Sequence, residues 1–538
     1  MKLFKNMREL IAYTSDVNAK KCAFVIKEKD GTYTEKTFAD LATDIKGLSN
    51  SLLEKNLFGK PVALIGGNSY EWCVSFFATL CAGCLLIPLD NRLPVPEIHR
   101  LFERSNPEAV IFSKNHAKTI GEIEISVKIC IGETENAEKF ADVIENGLKI
   151  SPALPEIDPD KPAILMFTSG TTSESKGVLL SQKNFLSNTR DLCDIDDFTK
   201  GYVYLSIIPL HHAFGCGAMA LFTLNGVKTV FPEGLRIAQA LSEYKVSLMV
   251  CVPAILNIMY RKIQSEIEAK GKQKTVAFGI KLSKILRKIG IDVRRKLFRE
   301  IIEPLGGELK FIISGAAALD PKINNFFNDI GIDLIQGYGL SETSPVVSAE
   351  RVGKQRQGSI GIPMTHVEVK ISEPNEQGIG EIITRGDNVM LGYFQNEEAT
   401  REVIKDGWFY TGDMGYIDSD GFIYITGRKK NVIVLGNGKN VFPEELEQKV
   451  DSLSGVKECL VYLSDKNDKE TMCARIVYDT EMFESETLAR TSLETQIHEL
   501  NLSLVSYKQI KHISLTDKPM EKTTTAKIKR NVELKKEI

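Results

Sequence analysis

The sequence predicts an α/β protein. A large N-terminal domain, made of two parallel-type α/β subdomains and a small β subdomain, is followed by a small α+β C-terminal domain. Three observations carry this expectation. At 538 residues the chain exceeds the ~250 to 300 residues at which single cores stop growing, so it must divide. Up to about Glu350, short apolar runs alternate with amphipathic stretches, the pattern of strands and helices that build parallel sheets. From about Gly358 the texture changes to short β-like segments separated by turns.

The elements follow in order. Pro61-Val-Ala-Leu-Ile-Gly66, Ala109-Val-Ile-Phe112, Val203-Tyr-Leu-Ser-Ile-Ile208, Val246-Ser-Leu-Met-Val-Cys-Val252 and Leu309-Lys-Phe-Ile-Ile-Ser314 read as buried strands. Residues 72–88 are apolar but carry Ser75, Thr79 and Gly83. They are expected to form a buried helix leading into the strand Leu85-Leu-Ile87 rather than a membrane span. Val367-Glu-Val-Lys-Ile371 and Gly380-Glu-Ile-Ile-Thr384 fit a small antiparallel subdomain. Beyond Arg428 a mixed unit of roughly a hundred residues is long enough to be a domain of its own. No internal repeat is found.

An apolar fraction of 43% with 26% charged residues is ordinary for a globular chain and argues against disorder. A formal charge of -3 creates no strong field, so no nucleic-acid partner is expected. The ten cysteines are scattered, mostly in apolar stretches where a thiol behaves as a small hydrophobe. With charges interrupting the N-terminal stretch, no signal peptide is expected, and the reducing cytoplasm is the expected compartment. Cys81-Ala-Gly-Cys84 imitates a redox pair but lies in an apolar stretch, so redox use is not expected. Residues 261–300 are rich in Lys and Arg, with helical periodicity in Phe278-Gly-Ile-Lys-Leu-Ser-Lys-Ile-Leu-Arg287. Two readings stand there: a solvated helix face, or contact with anionic lipid or an anionic carrier at the membrane periphery.

The chemistry begins at Phe167-Thr-Ser-Gly-Thr-Thr-Ser-Glu-Ser-Lys-Gly177, which follows the apolar run Ala163-Ile-Leu-Met166. Free backbone N–H groups, hydroxyls and one cation suit a triphosphate. The loop therefore nominates Thr168, Ser169, Gly170, Thr171, Thr172 and Lys176 as nucleotide-binding. The P-loop pattern Gly-x-x-x-x-Gly-Lys-Ser/Thr fails, because Ser175 precedes the lysine and Gly177 follows it. Further motifs follow in order: Pro209-Leu-His-His-Ala-Phe-Gly215, Ser314-Gly-Ala-Ala317, Gly337-Tyr-Gly-Leu-Ser-Glu-Thr343, Tyr410-Thr-Gly-Asp413, Gly427-Arg428 and Lys522-Thr-Thr-Thr-Ala-Lys-Ile-Lys-Arg530. The apolar segment Ile332-Asp-Leu-Ile335 before Gly337 is expected to put Tyr338 and Glu342 on the loop after a strand, where α/β sheets bind ligands.

On these motifs nearly the whole chain resembles the acyl-adenylate-forming (AMP-binding) superfamily, closest in appearance to long-chain fatty acyl-CoA synthetases. The resemblance implies that Tyr338 stacks on adenine, with Gln336, Gly337 and Gly339 beside it. It implies that Glu342 and Thr171 hold Mg²⁺ and that Thr343 reaches the phosphate. Gly315, Ala316 and Ala317 line the adenine side and the inner end of the acyl pocket, while His212, Phe214 and Gly339 shape that pocket. Asp413, with Arg428 beside it, takes the ribose hydroxyls, and Lys527 is the catalytic cation of adenylation. The domains implied are 1–428 and a mobile 429–538, with the hinge at Lys430 and with Gly436 and Gly438 bordering the thiol's path. The chain departs from the family pattern where Ser173-Glu174-Ser175 replaces Gly-x-Pro and where Ala526 replaces Gly.

The implied reaction uses ATP, Mg²⁺ and CoA. The segment His211 to Leu221 contains no acid to pair with a substrate ammonium, which disfavours an amino acid and favours an apolar one such as a medium- or long-chain fatty acid. CoA is the expected acceptor, with an acyl carrier protein as the alternative. A non-catalytic nucleotide-binding regulator is the reading of another class, and the joint presence of Thr171, Glu342, Asp413 and Lys527 argues against it.

Overall fold

The computed structural model describes residues 4–168, 175–234, 236–436, 439–464, 470–522 and 528–536. Its contacts divide the chain into two compact units. One comprises Met1–Thr168, Lys176–Glu368 and Thr384–Phe409; the other comprises Ser169–Ser175, Val369–Ile383 and Tyr410–Ile538.

The first unit holds two large sheets. In one, Pro61–Ile65 lies between Leu85–Leu89 and Ala109–Ser113, all parallel, with Val127–Ile131 beyond Ala109–Ser113. Val62, Ala63, Leu64 and Ile65 are all fully buried, as expected of a parallel strand covered on both faces. On the other side Leu85–Leu89 pairs in parallel with Pro162–Thr168, and there the direction reverses: Lys176–Ser181 and then Gly392–Tyr393 add antiparallel strands. The second sheet has Leu248–Cys251, Phe311–Ser314 and Asp333–Gly339 in parallel at its centre. Antiparallel Val346–Ala349 and Ile362–Pro363 close one end. This is the α/β class expected.

Helix Tyr70–Cys81 starts at Ser69, whose hydroxyl accepts from the Trp72 N–H, and every residue in it except Glu71 is buried. It leads into Leu85–Leu89, matching the expectation for 72–88. Among the described residues no helix is long and apolar enough to cross a membrane. Cys81 and Cys84 are both buried free thiols, and burial pushes each up to about 12. A thiol so far from its thiolate is a poor redox nucleophile.

Two expectations need correction. The strand expected over 203–208 is only Val203–Leu205, because Asn68 captures the next backbone groups: its Nδ2 donates to the carbonyls of Ser206 and Ile208, and its Oδ1 accepts from the Leu210 N–H. Tyr338 is not on a loop but inside the strand Asp333–Gly339. The antiparallel neighbour Val346–Ala349, opposite Gly337 to Gly339, supplies ladder partners that the local Gly-Tyr-Gly composition gives no hint of.

In the second unit, Asp413 to Ile417 pair antiparallel with Ile423–Arg428. A separate sheet places Thr471–Tyr478 between antiparallel Val456–Ser464 and parallel His512–Thr516. Helices Pro443–Asp451 and Glu486–Leu502 cover it, burying Leu446, Val450, Leu493 and Ile497 against Val461 and Ile476.

Candidate active site

The Ser/Thr/Gly loop closes a β-hairpin. Thr168 ends one strand opposite Lys176, which begins the next, and the Thr168 hydroxyl donates to the Lys176 carbonyl at 3.3 Å. A P-loop lysine opens a helix instead, so strand pairing independently excludes that reading. Ser169, Gly170, Thr171 and Thr172 lie outside the described residues. Gly177 is required in the return strand, since a Cβ there would stand 2.9 Å from a Leu165 methyl and 3.1 Å from the Phe394 Cβ.

Gly392–Tyr393 pairs with the return strand, with Tyr393 opposite Val178. The Lys176 ammonium sits 4.6 Å from the centre of the Tyr393 ring, a cation–π distance. The Tyr393 hydroxyl donates to Glu342 Oε1 at 2.9 Å. One tyrosine thus touches both charged groups of two motifs that lie far apart in sequence. Sequence reasoning missed Tyr393; Gly392-Tyr393 offers no chemistry until the pairing is known.

Glu342 lies half-buried in the short turn Ser341–Thr343. The turn is fastened by buried polar side chains. Thr343 is fully buried, its hydroxyl donating to the Pro345 carbonyl at 2.6 Å and accepting from the Leu340 N–H at 3.0 Å. The Asn388 amide donates to the Thr343 carbonyl, and Asn188 exchanges two hydrogen bonds with the backbone of Val346. Buried side-chain hydrogen bonds to backbone groups, as here, restrain a loop's conformation. Gly339 admits no side chain, because a Cβ would meet the Pro345 carbonyl oxygen at 1.8 Å.

On the adjoining strand Phe311–Ser314, Gly315 is buried while Ala316 and Ala317 are exposed. A Cβ on Gly315 would lie 3.0 Å from the Phe214 ring, so the two expected pocket residues meet. Ala316 has φ of +69°, a conformation alanine adopts at a cost and one that concentrates at ligand sites. Gln336 is buried, with its N–H on Glu350 Oε2 at 3.0 Å and its side-chain amide 3.4 Å from the Ser359 carbonyl. Glu350 is buried as well. Burial pushes its carboxyl up to about 7 against the hydrogen bonds it accepts from Arg356 and Gln336.

The Asn68 clamp leads directly into His211 and His212. Buried His211 lies with Nε2 3.5 Å from Asp90 Oδ2, and half-buried His212 precedes the first turn of helix Ala213–Leu224 with its ring centre 4.1 Å from that of His211. Asp90 also meets the Arg92 guanidinium at 3.3 Å. Burial pushes the Asp90 carboxyl up, but His211 and Arg92 outweigh it and hold the group below the ordinary carboxylate range. One ligand atom from each of Asp90, His211 and His212 falls within 4.8 Å of the others, a grouping invisible in sequence. The Asp90 carboxylate is already engaged by Arg92 and lies within ion-pair distance of His211.

In the second unit Asp413 stands opposite Arg428 in the strand pair, with Oδ1 2.9 Å from Arg428 Nε. Asp413 is buried, and its N–H donates to the Thr411 hydroxyl, which itself donates to the Ile382 carbonyl. Gly412 has φ of +72°, and its N–H donates to Glu381 Oε1 while Glu381 Oε2 holds Lys429 at 2.7 Å. Lys430 is exposed in the turn Lys429–Asn431, directly after the Arg428 strand. The Gly436 N–H donates to the Glu470 carboxylate. Gly438 and Lys527 lie outside the described residues.

The AMP-binding enzyme family matches residues 13–394. The chain is 27% identical to a long-chain-fatty-acid–CoA ligase of Mycobacterium bovis, covering 94% of this chain and 91% of that protein. It is 28% identical to a feruloyl-CoA synthase of Amycolatopsis, covering 80% of each. The anthranilate CoA ligase AuaEII, solved with anthranoyl-AMP, shares its fold at a TM-score of 0.80 and 22% identity, covering 100% of this chain and 98% of that one.

Proposed function

Because the chain belongs to the AMP-binding enzyme family, we propose that it is an acid–thiol ligase. A carboxylate oxygen attacks the α-phosphorus of ATP and pyrophosphate leaves; the thiolate of CoA then attacks the acyl carbon and AMP leaves. The observation that carries this reading is the meeting of Lys176 and Glu342 on Tyr393, a cation and an anion at the foot of the Ser/Thr/Gly hairpin. Glu342 fits a Mg²⁺ ligand, since the tyrosine engages Oε1 and leaves Oε2 outside that hydrogen bond, and Mg²⁺ prefers few protein oxygens. Thr171 is its expected partner. The ion, when bound, neutralises charge on the phosphate oxygens.

In this reading Lys176 and the hairpin backbone bind the phosphates, Gly315 to Ala317 and Gln336 to Gly339 border the adenine, and Asp413 accepts the ribose hydroxyls. Thr343 acts by holding the Glu342 turn. Lys527 stabilises charge on the reacting carboxylate and phosphate oxygens. The domains are 1–428 and 429–538, with Lys430 as the pivot between half-reactions and with Gly436 and Gly438 beside the thiol's path.

A medium- or long-chain fatty acid is the proposed substrate. It is supported by the acid-free, largely buried helix Ala213–Leu224 that follows His212 and by the fatty-acid-activating relative. Contact with a membrane surface through residues 261–300 is proposed separately from the ligase chemistry. Acid-dependent exchange of labelled pyrophosphate into ATP tests the ligase. Acids from acetate to an eighteen-carbon fatty acid, together with aromatic acids, are each supplied with CoA and with holo acyl carrier protein. Strongest turnover with a fatty acid and CoA is expected. Preference for an aromatic acid, as in the feruloyl-CoA synthase, moves the substrate; transfer to the carrier alone moves the acceptor. No exchange with any acid overturns the ligase reading in favour of a nucleotide-binding regulator.

A further inference from the structure

We propose that the outer face of helix Gln273–Lys288 is a docking surface for an anionic lipid bilayer. This deepens the membrane contact assigned above to residues 261–300 and stands apart from the ligase reading. The helix carries apolar side chains on its outer as well as its inner face. Its inward positions are small or modest: Gly279, where a Cβ would lie 3.2 Å from Leu297 and Phe298, fully buried Ser283, and Val276 and Ile280 packed on the core. A second set of large apolar side chains points to solvent. Phe278 is 67% exposed, Leu282 37%, Ile285 62%, and Ile289, just past the last turn, 69%. Their spacing of four, three and four residues puts them in a single row within roughly 60° of the helix circumference.

The charge beside that row selects the partner. Exposed Lys274, Lys281 and Lys288 run along one flank, and the helix contains five basic residues and no acid. A second copy of this chain would bring like charges together across the apolar row, which opposes pairing. Anionic headgroups answer the lysines while the row enters the acyl boundary, the arrangement of an interfacial amphipathic helix. The packing of the helix does not require those apolar side chains, since Val276, Gly279, Ile280 and Ser283 already seat it.

The full chain, without ATP or acid, is sedimented with vesicles of phosphatidylcholine alone and with about a third phosphatidylglycerol. Binding to the anionic vesicles, weak binding to the neutral ones, and loss as salt rises are expected. Lys281→Gln with Lys288→Gln should weaken binding about 30-fold, and Phe278→Ser with Ile285→Ser at least tenfold, with melting temperatures unchanged. Equal binding by wild type and both double variants overturns the proposal, as does no sedimentation. Light scattering that shows a dimer dissolved by the same apolar substitutions reassigns the face to a second copy, and capture of an acidic carrier protein in place of vesicles reassigns it to that partner. Pyrophosphate exchange failing while vesicles still bind would sink the ligase reading and leave this one standing.

Discussion

Glu342 and Asp413 are both motif carboxylates near glycines, and their surroundings are opposite. Glu342 is half-buried and accepts from a neutral hydroxyl, Tyr393. Asp413 is buried and ion-paired to Arg428 across a strand pair. In the proposed reading the first keeps its charge available to a cation brought with the nucleotide. The second has its charge answered within the fold and is suited to accepting hydrogen bonds from neutral hydroxyls. Chemical role therefore follows the partner more than the residue type: a tyrosine leaves a carboxylate anionic toward its surroundings, whereas an arginine spends the charge on structure.

The largest effect is expected outside either carboxylate. Lys527→Ala should lower adenylation by about 10²- to 10³-fold while a supplied acyl-adenylate is still converted to thioester; equal loss of both half-reactions, read separately, would remove the two-conformation mechanism. Glu342→Gln should cut pyrophosphate exchange by about 100-fold, with partial recovery at raised Mg²⁺ and an unchanged melting temperature. Asp413→Asn breaks the comparison from the other side, because it leaves Arg428 without its charge partner. It should raise the KM for ATP and lower stability by about 1–3 kcal/mol, seen as a shifted denaturant midpoint. If the two variants melt alike, the division into a functional and a structural charge is wrong.

Tyr393→Phe keeps the ring under Lys176 and removes the hydrogen bond to Glu342. About a tenfold weaker response to Mg²⁺ is expected, with ATP binding less affected. The last effect, seen only as a pH dependence, concerns Glu350. Burial raises its carboxyl from 4.5 to about 7, so the folded chain holds that proton more tightly than the unfolded one. Its contribution to stability is complete below about pH 4.5 and is lost as pH rises to about 7, by at most about 3 kcal/mol. Melting curves of wild type should fall more steeply across that window than those of Glu350→Gln; parallel curves would show that Glu350 titrates normally.

Much of the site was legible because its chemistry is local. Free amides, hydroxyls and a lysine in one loop announce phosphate binding, and Glu342, Asp413 and Arg428 sit in short motifs whose order carries the family. What was missed depends on pairing across long separations. Tyr393 reaches Glu342 only because Gly392–Tyr393 joins the edge of the hairpin sheet. Asp90 meets His211 across more than a hundred residues. Asn68 shortens a strand that its own apolar pattern would have lengthened.

Taken alone, the sequence determined the α/β class, the buried helix leading into the strand Leu85-Leu-Ile87 and the failure of the P-loop pattern, since periodicity, propensity and spacing act within a few residues. Only the tertiary structure decided that Tyr338 lies in a strand rather than on a loop, that Tyr393 joins Lys176 to Glu342, and that the apolar residues of helix Gln273–Lys288 face outward. Helical periodicity reveals that an apolar face exists; which face meets the core depends on what packs there, and at that helix Gly279 and Ser283 leave room for Leu297 and Phe298 while Phe278 and Ile285 are left to the surface.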